Sequence, residues 1–431
     1  MLSDDETRVL RQIEDRRENL VRLLVRLIRF RTITPLLGQK AEGDDFARLS
    51  SFVAERLGGL GFDVDSWEVD AASLERFPGS GVVPDRDLRG MPVVVGTREG
   101  RGRSLLLNAH YDVVPPGVLE NWNHPPFEGV VSDGRVFGRG ACDMKGGLAA
   151  ILEALRSIQE IGVEISAPLV VECVPDEEQT SMGTLACCQR GIRADAAMIP
   201  EPTDLHLLVA VRGSFSGKIV VPGRAGHSEM AQPPWQDGGA VNAIEKAMKV
   251  LRGIEALNET WKADPEKRHR YLDPDILTPT MIRGGEWEVM HPERVEITFT
   301  SNFVPSTKDL RADIQTMLDR VAHEDPWMQV HPPVLQAAGD WLYGAEVSED
   351  EPIVRTASAA LGEVGIPPEL VGSGSLTDMV HLINYSKVPT VSVGPTARTA
   401  HMADEHLTID QLVTTAKVLA LTILRWGSAS C

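Results

Sequence analysis

The sequence is short of the features that mark several large protein classes. Cysteine is scarce: 5 in 431 residues, at Cys142, Cys173, Cys187, Cys188 and Cys431. The number is odd and no CxxC spacing occurs, which argues against a disulfide framework and for reduced thiols. The adjacent pair Cys187 and Cys188 reads as small buried hydrophobes, because neighbouring cysteines do not fit ordinary disulfide geometry. No apolar run is long enough to span a bilayer. The first twenty residues are charged throughout, unlike a signal peptide, so a cytoplasmic location is expected. Positive charge is also short, with 43 Lys and Arg against 62 Asp and Glu and a net charge of −19. Phosphate-rich polymers and anionic membranes attract basic surfaces, so neither nucleic acid nor a membrane is an expected partner. A small-molecule substrate is expected instead, and even an anionic one fits, since a metal site reverses the field locally. Internal repeats and low-complexity segments are absent.

What is present is an ordinary globular composition, 42% hydrophobic and 24% charged, in a chain long enough for two or three domains. Apolar residues recur at helical spacing through Leu20, Leu23, Leu24, Leu27 and Ile28. Further helices are predicted over 44–57, 146–161 and 408–426, the last with Gly427 beyond its end. Nearly continuous apolar runs at 91–96, 104–108, 167–174, 196–199 and 388–393 predict strands buried on both faces, as in a parallel sheet covered by helices. From Gly213 the pattern changes. Strand 216–221, helix 239–257, strands 278–282 and 294–303, helix 307–321 and strand 328–334 follow the order β-α-β-β-α-β of a ferredoxin-like unit. The expected fold is therefore α/β: a mostly parallel-sheet catalytic domain in two parts, 1–212 and 335–431, interrupted by an inserted α+β domain at 213–334.

Five segments put candidate metal ligands at strand ends or turns. They carry His110 with Asp112, Asp143 before a glycine-led helix, Glu177 with Glu178, Glu201, and His401. Ligands in open α/β sheets bind beyond the carboxyl ends of the strands. One acidic residue after a strand is usually a helix cap or a solvated loop residue. Five oxygen and nitrogen candidates at five such places are not explained by capping. Two histidines with three carboxylates and no thiolate suit Zn²⁺, Co²⁺ or Mn²⁺. Two ions close together need a bridging carboxylate, and three carboxylates with one hydroxide balance two dications.

These motifs (HxD at His110, GRGxxDMKGG around Asp143, the DEE ending in Glu178, and GRAGHSE in the insert) resemble those of the metallopeptidase family that contains aminoacylase, acetylornithine deacetylase, succinyl-diaminopimelate desuccinylase and glutamate carboxypeptidase. The resemblance spans nearly the whole chain. It implies that His110 and Glu201 bind one metal, that Glu178 and His401 bind the other, and that Asp143 bridges them through a segment often followed by a cis peptide. It also implies that Asp112 orients the ring of His110, that Glu177 is the general base, and that His227 stabilises the oxyanion, in several relatives from the partner subunit of a dimer. The bases of Glu177 and Glu178 are adjacent in the chain, and the reverse assignment of their roles stays open. Two zinc ions, or cobalt or manganese, and a homodimer formed through the insert are the implied cofactors and assembly.

The insert departs from the family pattern. Where relatives that take N-acyl amino acids carry D-x-R-x-x-P, with an arginine gripping the substrate carboxylate, this chain reads Thr300-Ser301-Asn302-Phe303-Val304-Pro305. An asparagine amide does not replace a bidentate guanidinium. Either the substrate lacks the α-carboxylate or another group holds it, for which Arg398 and Arg283 are the candidates. Trp235, Trp287, Trp341 and Tyr343 are read as packing residues with a pocket role open to them. His206 and His291 are read as surface or interface histidines, His291 with a place facing the cleft open to it. The leading expectation is deacylation of an N-acyl amino acid or related N-acyl amine. An exopeptidase, an N-carbamoyl hydrolase and a deaminase of an aromatic amine are the alternatives, with an inactive scaffold as the contrasting class.

Overall fold

The computed structural model describes residues 2–74, 77, 79–83, 85–336 and 341–428. Cys431 lies outside the described residues; the other four cysteines are free and buried. The apolar spacing of the N-terminal stretch produces two helices, Asp4–Asp15 and Arg17–Ile28, the first closed by a capping box between Ser3 and Glu6.

Among the described residues the large sheet has nine strands. In spatial order they are Asp63–Glu68, Pro92–Arg98, Leu169–Val174, Leu105–His110, Ala196–Ile199, Thr390–Ser392, Leu207–Val211 and Ala345–Glu346, with Leu370–Ser373 also paired to Leu207–Val211. The centre is parallel: Leu105–His110 runs alongside both Leu169–Val174 and Ala196–Ile199, and Ala196–Ile199 alongside Thr390–Ser392. Strand Pro92–Arg98, expected within a parallel sheet, instead pairs antiparallel with both neighbours. A continuous apolar run signals burial on both faces but not direction. Helices cover the sheet, among them Gly146–Glu160, which packs on Ile409–Ser428.

Gly427 lies inside the C-terminal helix, not past its end. A Cβ there would stand 2.5 Å from the backbone nitrogen of Ala167. The glycine marks a close approach of the helix to the segment leading into strand Leu169–Val174, and that is why its usual meaning as a helix terminator misled.

The insert has its own core, built around Phe215, Ile219, Phe299 and Phe303 and separate from the main one. Its main strands, in spatial order Ile276–Gly284, Arg294–Phe303, Gly213–Pro222 and Val334–Gln336, are all antiparallel. Helices Ala243–Ala263 and Arg311–His323 pack together beside them. This is the ferredoxin-like order. The last strand is Val334–Gln336, not 328–334, because Trp327 and Met328 are taken into a turn tied to the carboxylate of Asp325. Trp341–Leu342 also pairs with Gly213–Pro222.

Candidate metal centre

The centre forms where central strands run out. His110 is the last residue of its strand. Leu169–Val174 is followed within four residues by Glu177 and Glu178, and Ala196–Ile199 within two by Glu201. The helix Gly146–Glu160 begins just after Asp143 and comes close under the Glu201 loop, since a Cβ on Gly147 would lie 2.3 Å from the carbonyl oxygen of Pro200. Only glycine permits that approach. The peptide between Asp143 and Met144 is cis.

Asp143 stands between the two histidines. Its Oδ1 is 3.2 Å from His110 Nε2 and its Oδ2 is 3.3 Å from His401 Nε2. His401 Nε2 is also 2.9 Å from Glu178 Oε2. His110 Nε2 is 3.8 Å from Glu201 Oε2 and 3.9 Å from Glu177 Oε2. The structure thus brings the five expected ligands and Glu177 into one cluster.

Asp112 serves this cluster in two ways. Its carboxylate accepts the backbone N–H groups of Glu177 and Glu178, at 3.2 and 3.3 Å. The ring Nδ1 of His110 lies 3.0 Å from the carbonyl oxygen of Asp112 and 3.6 Å from its carboxylate. The ring is therefore oriented chiefly through the Asp112 backbone, while the side chain fixes the turn that carries the glutamates.

Two buried ion pairs brace the same loops. Arg86 donates to Asp176 Oδ1 through Nε at 2.9 Å and through a terminal nitrogen at 2.5 Å, with both side chains fully buried. The Asp176 carbonyl in turn accepts the N–H groups of Thr180 and Ser181. On the other side, Arg139 donates to Glu405 Oε2 at 2.6 Å and to the carbonyl of His401 at 3.3 Å. Glu405 Oε1 accepts from the backbone of Cys142 at 3.1 Å and of Asp143 at 3.3 Å. One ion pair thereby ties Asp143 to the His401 loop. Sequence reasoning missed Arg139, Glu405, Arg86 and Asp176, although Arg139, Asp176 and Glu405 lie inside segments already singled out.

The electrostatics show a cluster short of positive charge. Burial, with neighbouring carboxylates adding to it, pushes Glu177 and Glu201 well above the ordinary carboxylate range and Glu178 up to about 7. Burial acts to raise Asp143 too, but His110 and His401 hold it low. Hydrogen bonds to Asp143 and Glu178 push His401 up to about 10. Oε1 of Glu178 and Oε1 of Glu201 are buried and have no hydrogen-bond partner. His110 with Glu177 and Glu201, and His110 with Asp143 and Glu178, each offer donor atoms within 4.8 Å of one another. Nitrogen and oxygen donors, surplus negative charge and orphaned carboxylate oxygens all fit hard or borderline divalent cations.

A cleft of about 560 Å³ opens onto these carboxylates, walled opposite by the Gly372–Leu376 loop. Among the described residues no lysine or arginine lines it. His206, expected as an ordinary surface histidine, borders it, with its ring Nδ1 3.0 Å from the Thr203 carbonyl. Its place in the loop after Glu201 was the available signal. His227, Arg283 and Asn302 all sit on the insert, and none of them borders this cleft. His227 is exposed and accepts the N–H of Glu229. Arg283 is exposed on the edge strand. Asn302 lies in an inner strand of the insert, where its carbonyl accepts from Arg212. Arg398 stays at the rim, 84% exposed and 3.8 Å from Asp204. Trp341 packs on Phe303 and Phe215, Trp235 packs on Trp327, and Trp287 and His291 are placed on the insert away from the cleft.

Fold and centre together define a hydrolase with a carboxylate–imidazole metal site. The chain belongs to peptidase family M20/M25/M40, which matches over residues 106–425. Members of that family depend on metal, and this protein is a metal-dependent hydrolase of an amide-type C–N bond. It is similar to the N-formyl-4-amino-5-aminomethyl-2-methylpyrimidine deformylase of Bacillus subtilis, 29% identical over 97% of each chain. The enzyme of the same name from Halalkalibacterium halodurans is 27% identical over 97% of this chain and 96% of that one. Among solved structures, a tripeptidase from Staphylococcus aureus superposes with a TM-score of 0.73 at 19% identity, covering 96% of this chain and 99% of that one. A di-peptidase from Saccharomyces cerevisiae gives 0.72 at 16% identity, covering both chains fully.

Replacing Arg139 by Met strands a buried carboxylate at Glu405, which typically costs about 3–5 kcal/mol. Urea denaturation of R139M should show a loss of that size; a loss below about 1 kcal/mol would mean that the pair does not brace the centre.

Proposed function

We propose that this protein removes a short acyl group, formyl first, from an N-acyl amine that carries no carboxylate. The observation that carries this reading is the cleft itself: carboxylates on one wall and, among the described residues, no lysine or arginine on any. Such a lining offers a substrate carboxylate no side-chain cation and tolerates a neutral or basic amine such as an aminomethyl heterocycle. The names of the two curated relatives point to the same substrate class. An exopeptidase or an N-acyl amino acid deacylase would need a cation for the terminal or α-carboxylate.

Two divalent ions, zinc in first place with cobalt or manganese as the alternatives, would be held by His110 and Glu201 on one side and by Glu178 and His401 on the other, with Asp143 between. When bound, they supply a Lewis acid for the acyl oxygen and a water of lowered pKa. Glu177 accepts a proton from the attacking water and returns it to the leaving nitrogen, a task suited to a carboxylate whose affinity for protons is raised by burial. Asp112 keeps Glu177 in place through its backbone. His227 would steady the developing oxyanion.

The insert's edge strand Ile276–Gly284 exposes every residue but Leu277, including Met281 and Ile282. An open edge of this length is a pairing surface that soluble proteins cover. A second copy, paired about a two-fold axis, would cover it and bring His227 toward a neighbouring cleft.

The substrate is tested by assaying N-formyl-4-amino-5-aminomethyl-2-methylpyrimidine beside N-acetyl amino acids and dipeptides, with each metal in turn. Formate release from the pyrimidine should exceed turnover of the others, and E177Q should lose a factor of about 10² to 10⁴ in kcat while still binding metal. Preference for a carboxylate-bearing substrate would overturn the reading. For the assembly, sedimentation equilibrium should give a dimer that M281K/I282K converts to a monomer; a wild-type monomer would contradict it.

A further inference from the structure

Asp143, Glu177, Glu178 and Glu201 all border the cleft, and all four belong to the metal centre. A fifth carboxylate does not. Asp204 borders the same cleft, on the loop that follows Glu201. Its side chain is only 27% exposed, yet its carboxylate accepts no hydrogen bond from any described residue. The one cation paired with it among the described residues is Arg398, whose Nε is 3.8 Å from Oδ1. That distance is beyond hydrogen-bond reach, and the guanidinium swings in solvent, so the pair is a weak one.

The loop that carries Asp204 is fastened by its own backbone. The N–H groups of Thr203 and Asp204 donate to the carbonyl of Pro395 at 2.9 and 2.8 Å, and that of Leu205 to the carbonyl of Gly394 at 2.9 Å. The Thr203 hydroxyl donates to the His206 carbonyl at 2.7 Å and accepts the N–H of Gly394 at 3.0 Å. Asp204 and Leu205 are both left-handed, with φ of 54° and 63°. Aspartate tolerates that conformation and leucine does so poorly, so the surrounding bonds must hold it. The carboxylate therefore stands where the backbone puts it, with most of its acceptor capacity unused. The cleft lining also includes His206, whose Nε2 is 3.5 Å from Glu369, and the apolar side chains of Leu208, Val371 and Leu376.

We propose that Asp204 sets the specificity of this cleft by accepting the N–H donors of an amino-substituted nitrogen heterocycle, the amine half of the substrate, while Leu208, Val371 and Leu376 receive the ring. This rests on the reading of the protein as a deacylase of an N-acyl amine without a carboxylate. A ring nitrogen next to an exocyclic amino group forms an amidine edge. Protonated, that edge offers two parallel N–H donors, which match the two oxygens of a carboxylate. A carboxylate already fixed by its backbone takes such a ligand without the cost of ordering a loop. A substrate carboxylate at the same place would meet a like charge. One side chain thus favours the heterocyclic amine and disfavours an amino acid. Asp204 binds and selects; it has no part in the proton transfers.

The test compares N-formyl-4-amino-5-aminomethyl-2-methylpyrimidine with the analogue that has hydrogen in place of the ring amino group, on metal-loaded wild type, D204N and D204G. Asparagine and glycine both suit a left-handed position, so the turn should survive. Wild type should prefer the amino compound by about tenfold or more in kcat/KM, and both variants should lose about tenfold of that preference. The preference is a ratio within one enzyme sample, so a lower folded or metal-loaded fraction does not move it. A preference kept in both variants, or none in wild type, would overturn the proposal. If wild type releases formate from neither compound, the deformylase reading fails, and calorimetric titration with the two deformylated amines decides the role of Asp204. Binding of the amino compound tighter by about tenfold, with that difference abolished in D204N and D204G, upholds it; equal binding or none overturns it.

Discussion

Mutual repulsion among buried carboxylates is the constraint on which the rest of this structure depends. Asp143, Glu177, Glu178 and Glu201 share one pocket with two histidines, and Asp112 lies directly behind. Two unit charges at about 4 Å repel by roughly 4 kcal/mol even at an effective dielectric constant near 20. No packing of apolar side chains offsets several such terms at once. The histidines offset part of that repulsion, bound metal would offset more of it, and the braced loops around the cluster resist its relaxing outward.

Those loops are held by hydrogen bonds to charged groups, not by sheet pairing. The strand ends deliver the ligand-bearing segments to one side, and then each segment leaves regular structure. Asp176 and His401 both adopt left-handed backbone conformations there. Arg86 with Asp176 pins the turn of the glutamates, Arg139 with Glu405 joins the Asp143 segment to the His401 loop, and Asp112 ties the turn back to the strand of His110. Breaking either ion pair leaves a buried charge without a partner, so the braces and the metal cluster stand or fall together.

Much of this was legible in the residues. Apolar runs located the central strands, and the β-α-β-β-α-β order of the insert followed from its periodicity. That His110, Asp143, Glu178, Glu201 and His401 would come together followed from the kind of residue found at each strand end or turn. Direction of pairing was not legible for Pro92–Arg98, since burial on both faces is common to either direction. The supporting pairs were missed because Arg86 and Asp176 are 90 residues apart and Arg139 and Glu405 are 266 apart. Neither separation leaves a local pattern. His227, expected as the oxyanion residue and in several relatives supplied by the partner subunit, and the substrate-binding candidates Arg283 and Asn302 all sit on the insert, and none lines the cleft of its own chain.

On the proposed mechanism, hydrolysis at this acidic cluster depends on two bound ions. The most direct test is to strip the enzyme with chelator, titrate it with Zn²⁺, Co²⁺ or Mn²⁺, and measure bound metal and turnover together. The account predicts no turnover in the stripped enzyme and full turnover only as binding approaches two ions per chain. Full turnover without metal, or saturation of tight binding at one ion with activity complete, would contradict it.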